Sequence, residues 1–102
     1  MKQIANTYNK NSFTFNLIER DQDVAIYEQI EPETGKRIAY EVFEVMKKQA
    51  VILHGNAIEA HESCPSNEQW GNYGFTVYDL KDAKDKQVQL IQKIEKRQIS
   101  VN

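Results

Sequence analysis

The 102 residues include one cysteine, Cys64. No internal disulfide can form, so a disulfide-stapled secreted scaffold is excluded and a reducing compartment fits. Long apolar runs are also missing: the longest, Ala50-Val51-Ile52-Leu53, falls far short of the roughly 20 residues that span a bilayer. Met1 to Asn11 holds no apolar stretch after Lys2, so it does not read as a secretory signal. A soluble, cytoplasmic protein is expected, without a membrane. An excess of one charge is absent as well. Net charge is -2; residues from Asp79 onward carry six Lys/Arg against four Asp/Glu, or +2, leaving -4 on residues 1–78. Proteins that live on phosphate charge need several basic groups acting together, and this asymmetry is too mild for that or for a DNA mimic.

What is present is an ordinary globular composition, 40% hydrophobic and 27% charged, with five Tyr, four Phe and one Trp for a thin core. There is no internal repeat, linker or low-complexity tract, so one domain is the economical reading. Residues 1–12, rich in Asn, Lys and Gln, read as a flexible N-terminal arm, and residues 13–98 as the domain.

From Phe13 the pattern turns to a period of two: Phe13, Phe15 and Leu17 alternate with Thr14, Asn16 and Ile18 until about Arg20, a half-buried strand. After Asp21-Gln22-Asp23, alternation resumes with Val24, Ile26 and Ile30 on one side, and so short a connection forces antiparallel pairing. Glu31-Pro32-Glu33-Thr34-Gly35-Lys36 is a strong turn signal. The third strand, roughly Arg37 to Lys47, sets Ile38, Tyr40 and Val42 on one face but Phe43 and Val45 on the other; either a bulge shifts the register or both faces are covered. Val51 to Leu53 offers a short extra strand. His54 to Tyr73 has loop chemistry throughout, an uncommon length and often a functional one, with one helical turn over Ser66-Asn67-Glu68-Gln69-Trp70 capped by Ser66 or Asn67. Tyr73 to Tyr78 is a fourth strand. Asp79 then caps a helix whose Leu80, Ala83, Val88, Leu90, Ile91 and Ile94 span about 160° of a helical wheel, with Lys81/Asp85 and Asp82/Lys86 paired outside and the residues after Lys96 expected to fray. The fold class is α+β: an antiparallel meander of about four strands with one C-terminal helix packed on one face.

Several constellations could carry chemistry. His54, His61 and Cys64, with Glu59 and Glu62 between, are able to bind a transition metal, yet their spacing matches no paired ligand set; surface loop residues are the plainer reading, and no cofactor or metal is expected. A Cys64/His61 nucleophile pair competes with an inert thiol before Pro65. Alternation sets Glu28 and Glu44 on an otherwise apolar face, where they could approach for acid-base work or simply discourage edge pairing. No Gly-rich phosphate loop, nucleophile elbow or metal-helix motif occurs. Tyr73-Gly74-Phe75-Thr76-Val77-Tyr78 before Asp79-Leu80-Lys81 resembles the aromatic strand and following helix of an RNA-recognition motif, in which rings stack on unpaired bases. Its order of elements does not match, because that fold needs a helix between its first two strands. A nucleic-acid surface of Tyr73, Phe75, Tyr78, Lys81 and Lys84 is thus the second reading, and core aromatics beneath the helix the plain one.

Val24 to Gln29, Tyr40 to Phe43 and above all Pro65-Ser66-Asn67-Glu68-Gln69-Trp70-Gly71 resemble small uncharacterised proteins of bacteriophages and mobile elements, over about Phe13 to Ala83. Such proteins often carry an aromatic residue before that proline, where this chain has Cys64, a departure that weakens cysteine chemistry. The resemblance implies a context in which proteins of this size bind and inhibit a host protein, defence nucleases included. A non-catalytic protein-binding module is accordingly the first expectation, with a host protein as partner and Ser66, Asn67, Glu68, Trp70 and Tyr73 as the contact surface, since rings on a loop are frequent interface anchors. The alternative for Trp70 is a lid folded back on the sheet. A small enzyme centred on His54, His61 and Cys64 comes third. Oligomeric state and target are not written in the chain.

Overall fold

The computed structural model describes residues 1–100. Strands β1 (Thr7–Lys10), β2 (Phe13–Asp21), β3 (Val24–Glu31) and β4 (Lys36–Glu44) follow one another. With β9 (Gly74–Val77) they form one antiparallel sheet in the order β1-β2-β3-β4-β9. Helix α1 (Leu80–Ser100) closes the described chain and packs on one face of the sheet. The α+β architecture read from the sequence is therefore present. Its meander is set by turn chemistry: Gln22 takes a positive φ of 54° between β2 and β3, and Gly35 N–H donates to Glu31 O at 2.8 Å across the β3–β4 turn.

Both faces of β3 and β4 are covered. Val24, Ile26, Tyr40 and Val42 meet Ala83 and Leu90 of the helix, with Phe75, Val77, Ile91 and Ile94 at the margin. On the opposite face Phe15, Ala25, Tyr27, Phe43 and Val45 form a second core, topped by Ile4, Tyr8, Leu17, Cys64 and Trp70. The split pattern of the third strand thus has the central-strand explanation, and a bulge is present too: Gln29 opposes Ala39 whereas Ile30 opposes Arg37, which leaves Ile38 as the extra residue. Ile18 is bulged in the same way in β2, and both isoleucines are turned to solvent.

Along the second core five rings succeed one another. Tyr8 stacks on Phe15 (5.0 Å, 14°) and meets Tyr27 edge-on (5.2 Å, 64°); Tyr27 stacks on Phe43 (5.5 Å, 8°), which touches Trp70 (6.3 Å, 51°). Each such pair adds about 0.5–1.5 kcal/mol beyond burial.

The structure corrects the sequence reading in four places. Residues 1–12 are not a free arm: Thr7–Lys10 pairs along β2, Asn11 and Ser12 both take positive φ (53° and 68°) as a two-residue hairpin turn requires, and Lys2 exchanges backbone hydrogen bonds with Ala60 and Glu62 (3.1 and 2.8 Å). The 54–73 segment is not one long loop. β5 (Met46–Lys48) pairs with β8 (His61–Ser63), and β6 (Val51–Leu53) with β7 (Asn56–Ile58), before a 3-10 turn at Asn67–Gln69. On α1, Asp79 Oδ1 does accept from Asp82 N–H at 2.8 Å, but Leu80 and Val88 are exposed while Gln87 is buried and donates its amide to Val24 O at 3.2 Å. On the wheel Val88 lies far from Ala83 and Leu90, whereas Gln87, four residues after Ala83 and three before Leu90, is on their face. Finally, the outer helix pairs differ: Lys84 bridges to Glu19, and Lys86 stands 4.3 Å from the Phe75 ring centroid while donating to Gln89. The helix itself continues past Lys96 to Ser100.

Candidate functional site

Trp70 is half-buried and folded back. Its ring approaches Phe43, Nε1 donates to Thr76 Oγ1 at 3.2 Å, and a Cβ built on Gly74 would lie 2.4 Å from its six-membered ring. Only glycine permits that approach, so the indole is a lid on the second core rather than an outward anchor. Ser66, Asn67 and Glu68 are exposed beside it. They form the 3-10 turn, in which Gln69 Oε1 accepts from Ser66 N–H at 2.9 Å. Tyr73 is half-buried beneath Lys93 and Arg97, whose charged groups stand 5.3 and 5.8 Å from its ring centroid.

The nucleic-acid surface does not assemble as a platform. Phe75 faces the helix and joins the core there, Lys84 is paired to Glu19, and Tyr78, 77% exposed, stands apart from them near exposed Lys81. Stacking on bases requires an open row of rings, and α1 occupies the face that would offer it. Glu28 and Glu44 do share a face, but Glu28 opposes Tyr40 and Glu44 opposes Val24. Four residues of strand, about 13 Å, separate their positions, and Glu44 accepts from Arg97 at 2.7 Å. His54 sits in the β6–β7 turn with a φ of 51°, while His61 lies on β8, its Nδ1 3.0 Å from Glu59 O. Cys64 is a half-buried free thiol beside fully buried Pro65. Among the described residues no group of three or more His, Cys, Asp or Glu gathers around a common metal position, and no helix is long and apolar enough to cross a membrane.

Sequence reasoning found one strand of the ribbon β6–β7, the short extra strand at Val51 to Leu53, but missed its partner β7 and the turn between them. Leu53-His54-Gly55-Asn56 closes it, with His54 and Gly55 both at positive φ (51° and 78°), the conformation that a two-residue hairpin turn demands. His-Gly is a weak form of the Asn-Gly signal, so it merged with the surrounding loop chemistry. All six strand residues are exposed: Val51 is 50%, Ile52 79% and Leu53 53% accessible, with Ile58 also open. An isolated two-stranded ribbon is marginal in water, and apolar side chains this open on both of its faces make it a candidate contact surface.

At the foot of the ribbon lies a hollow of about 590 Å³, lined among others by Ile4, Tyr8, Ile58, His61, Ser63 and Cys64. Ile58 belongs both to this hollow and to the apolar flank bearing Val51 and Ile52, so knob and hollow adjoin. Ser63 Oγ is buried without a hydrogen-bond partner among the described residues. The tyrosines resist ionisation: burial pushes Tyr27 up to about 12 and Tyr8 further still, and Tyr27 OH donates to Ala5 O at 2.5 Å.

One clamp holds the hollow's wall. Arg20 donates two bonds to Glu62 (2.7 and 2.9 Å), a third to Asp23 (3.0 Å) and a fourth to Gln22 O (2.8 Å), and Asp23 also meets Lys47 at 3.1 Å. Glu62 further accepts from Ile4 N–H at 3.1 Å. The Arg20 hydrogen bonds, outweighing burial, hold the Glu62 carboxyl down at about 2. This clamp ties β2, β8 and the N-terminal segment together, so the base from which the ribbon projects is rigid.

Compared with protein-family models, curated proteins and solved structures, the chain matches none.

Proposed function

We propose that this protein is a non-catalytic protein-binding module that inserts the β6–β7 ribbon into an apolar groove of its partner. The observation that carries the reading is the ribbon itself: Val51 and Leu53 exposed on one face of a hairpin and Ile52 on the other, above a clamped base. Apolar residues along a projecting hairpin are suited to fill a partner's pocket, and a few such residues carry most of an interface's energy. The resemblance of residues 65–71 to small bacteriophage proteins supports a partner in the host cytoplasm and an inhibitory role. Trp70 and the 3-10 turn then support the sheet from behind, with Ser66, Asn67 and Glu68 as a polar flank.

A photo-crosslinking residue at position 52 tests this in a host lysate. The expected product is one discrete adduct, absent when the same residue is placed at Tyr78. The partner, once purified, should bind the native chain and lose about thirtyfold or more in affinity for Ile52→Asp. Equal affinity for both chains, or equal crosslinking from positions 52 and 78, would rule the ribbon out.

A further inference from the structure

We infer that a second site, independent of the ribbon, recognises a guanidinium group in the aromatic slot between β1, β2 and the 3-10 turn. The slot has a volume of about 190 Å³ and is walled by Phe13, Phe15 and Trp70, with Glu41 in it. That is smaller than the roughly 300–1,000 Å³ of sites for drug-sized ligands, so it has room for one slender group. It shares no lining residue with the hollow at the ribbon's foot.

Three observations select a cation. Ring faces attract positive charge through their quadrupole. Glu41 is half-buried, and among the described residues its carboxylate takes no hydrogen bond or ion pair. Burial pushes its carboxyl up from the ordinary value, offset only in part by the field of Lys10, which also lines the slot without bonding to the carboxylate, so the carboxylate is desolvated without a contacting counter-charge. Gln29 and Asn67 add side-chain amides to the lining, whose oxygens can accept from a guanidinium. Guanidinium fits better than ammonium because it is planar, weakly hydrated, stacks on rings and meets a carboxylate with two parallel donors. The group could be carried by a small molecule or by an arginine of a protein.

Trp70 is the chain's one tryptophan, so its emission and indole N–H resonance report on this slot. The full chain is titrated with methylguanidine and with acetyl-Gly-Arg-Gly-amide, using the citrulline peptide as the neutral control. A saturable change in either signal with a guanidinium probe, weakened roughly tenfold in Glu41→Gln and absent with citrulline, is expected. Saturation by methylguanidine marks the group alone as sufficient, and saturation by the peptide only marks a protein arginine as the source. No saturable change with either probe, equal response to citrulline, or unchanged affinity in a Glu41→Gln chain with native circular dichroism would each overturn the site. None of these readouts depends on the ribbon, so the outcome is separable from that of the crosslinking experiment.

Discussion

Val24-Ala25-Ile26 and Val51-Ile52-Leu53 are near-equivalent triplets with opposite fates. The first opens β3 and is wholly inaccessible; the second makes up β6 and is half or more exposed at every residue. Composition and strand propensity do not separate them. The difference is what stands above each face: β3 has α1 on one side and the aromatic row on the other, whereas β6, among the described residues, pairs with β7 alone. Burial of a strand is conferred by its layers, and a strand left without layers is either a liability or a contact surface.

The contrast can be broken hardest from the buried side. Phe43→Ala removes a fully buried ring that Tyr27 and Trp70 both touch, and should cost about 3–5 kcal/mol in urea denaturation. A loss under about 1 kcal/mol would mean that the second core does not hold the sheet.

Acid acts at the junction between the two regions. Glu62 sits at about 2 in the folded chain against an ordinary value of 4.5. Its stabilising contribution is therefore complete above pH 4.5 and is lost as pH falls through about 2. The interval corresponds to about 3–4 kcal/mol, and Glu62→Gln should flatten that part of the stability-versus-pH curve; an unchanged slope would dismiss the clamp.

The smallest effect belongs to the ribbon. Ile52→Asp should change the free energy of unfolding in urea by no more than about 0.5 kcal/mol, because the side chain is already in water. A large loss would mean that the ribbon packs on something in solution, and the comparison of the two triplets would fail.

Much of the sheet and the helix was legible because their signals are local and periodic. Phe13-Phe15-Leu17, the Pro32-Gly35 turn and the Asp79 cap each declare an element within a few residues. The departures come from contacts that no window of sequence contains. β1 carries Thr7-Tyr8-Asn9-Lys10 and gains its structure by laying Tyr8 on Phe15 and Tyr27, while its turn signal, Asn11-Ser12, is modest. Gln87 looks like an outward residue until Val24 O is found above it. For the candidate site, Trp70 was singled out correctly as unusual, but its direction depends on the missing side chain of Gly74, and the ribbon was hidden because His-Gly is a poor advertisement for a hairpin. The unpartnered carboxylate of Glu41 reads in sequence as one more strand acid.

The early residues have a consequence for the order of assembly. Lys2 and Ile4 are joined to the strand bearing His61 and Glu62, and the Ile4–Glu62 bond spans 58 positions. Closing so wide a ring demands chain entropy before any contact repays it. During synthesis the first hairpins can pair as they emerge, yet the opening residues must wait for the middle of the chain, so the clasp that steadies the projecting hairpin is among the later joints to form.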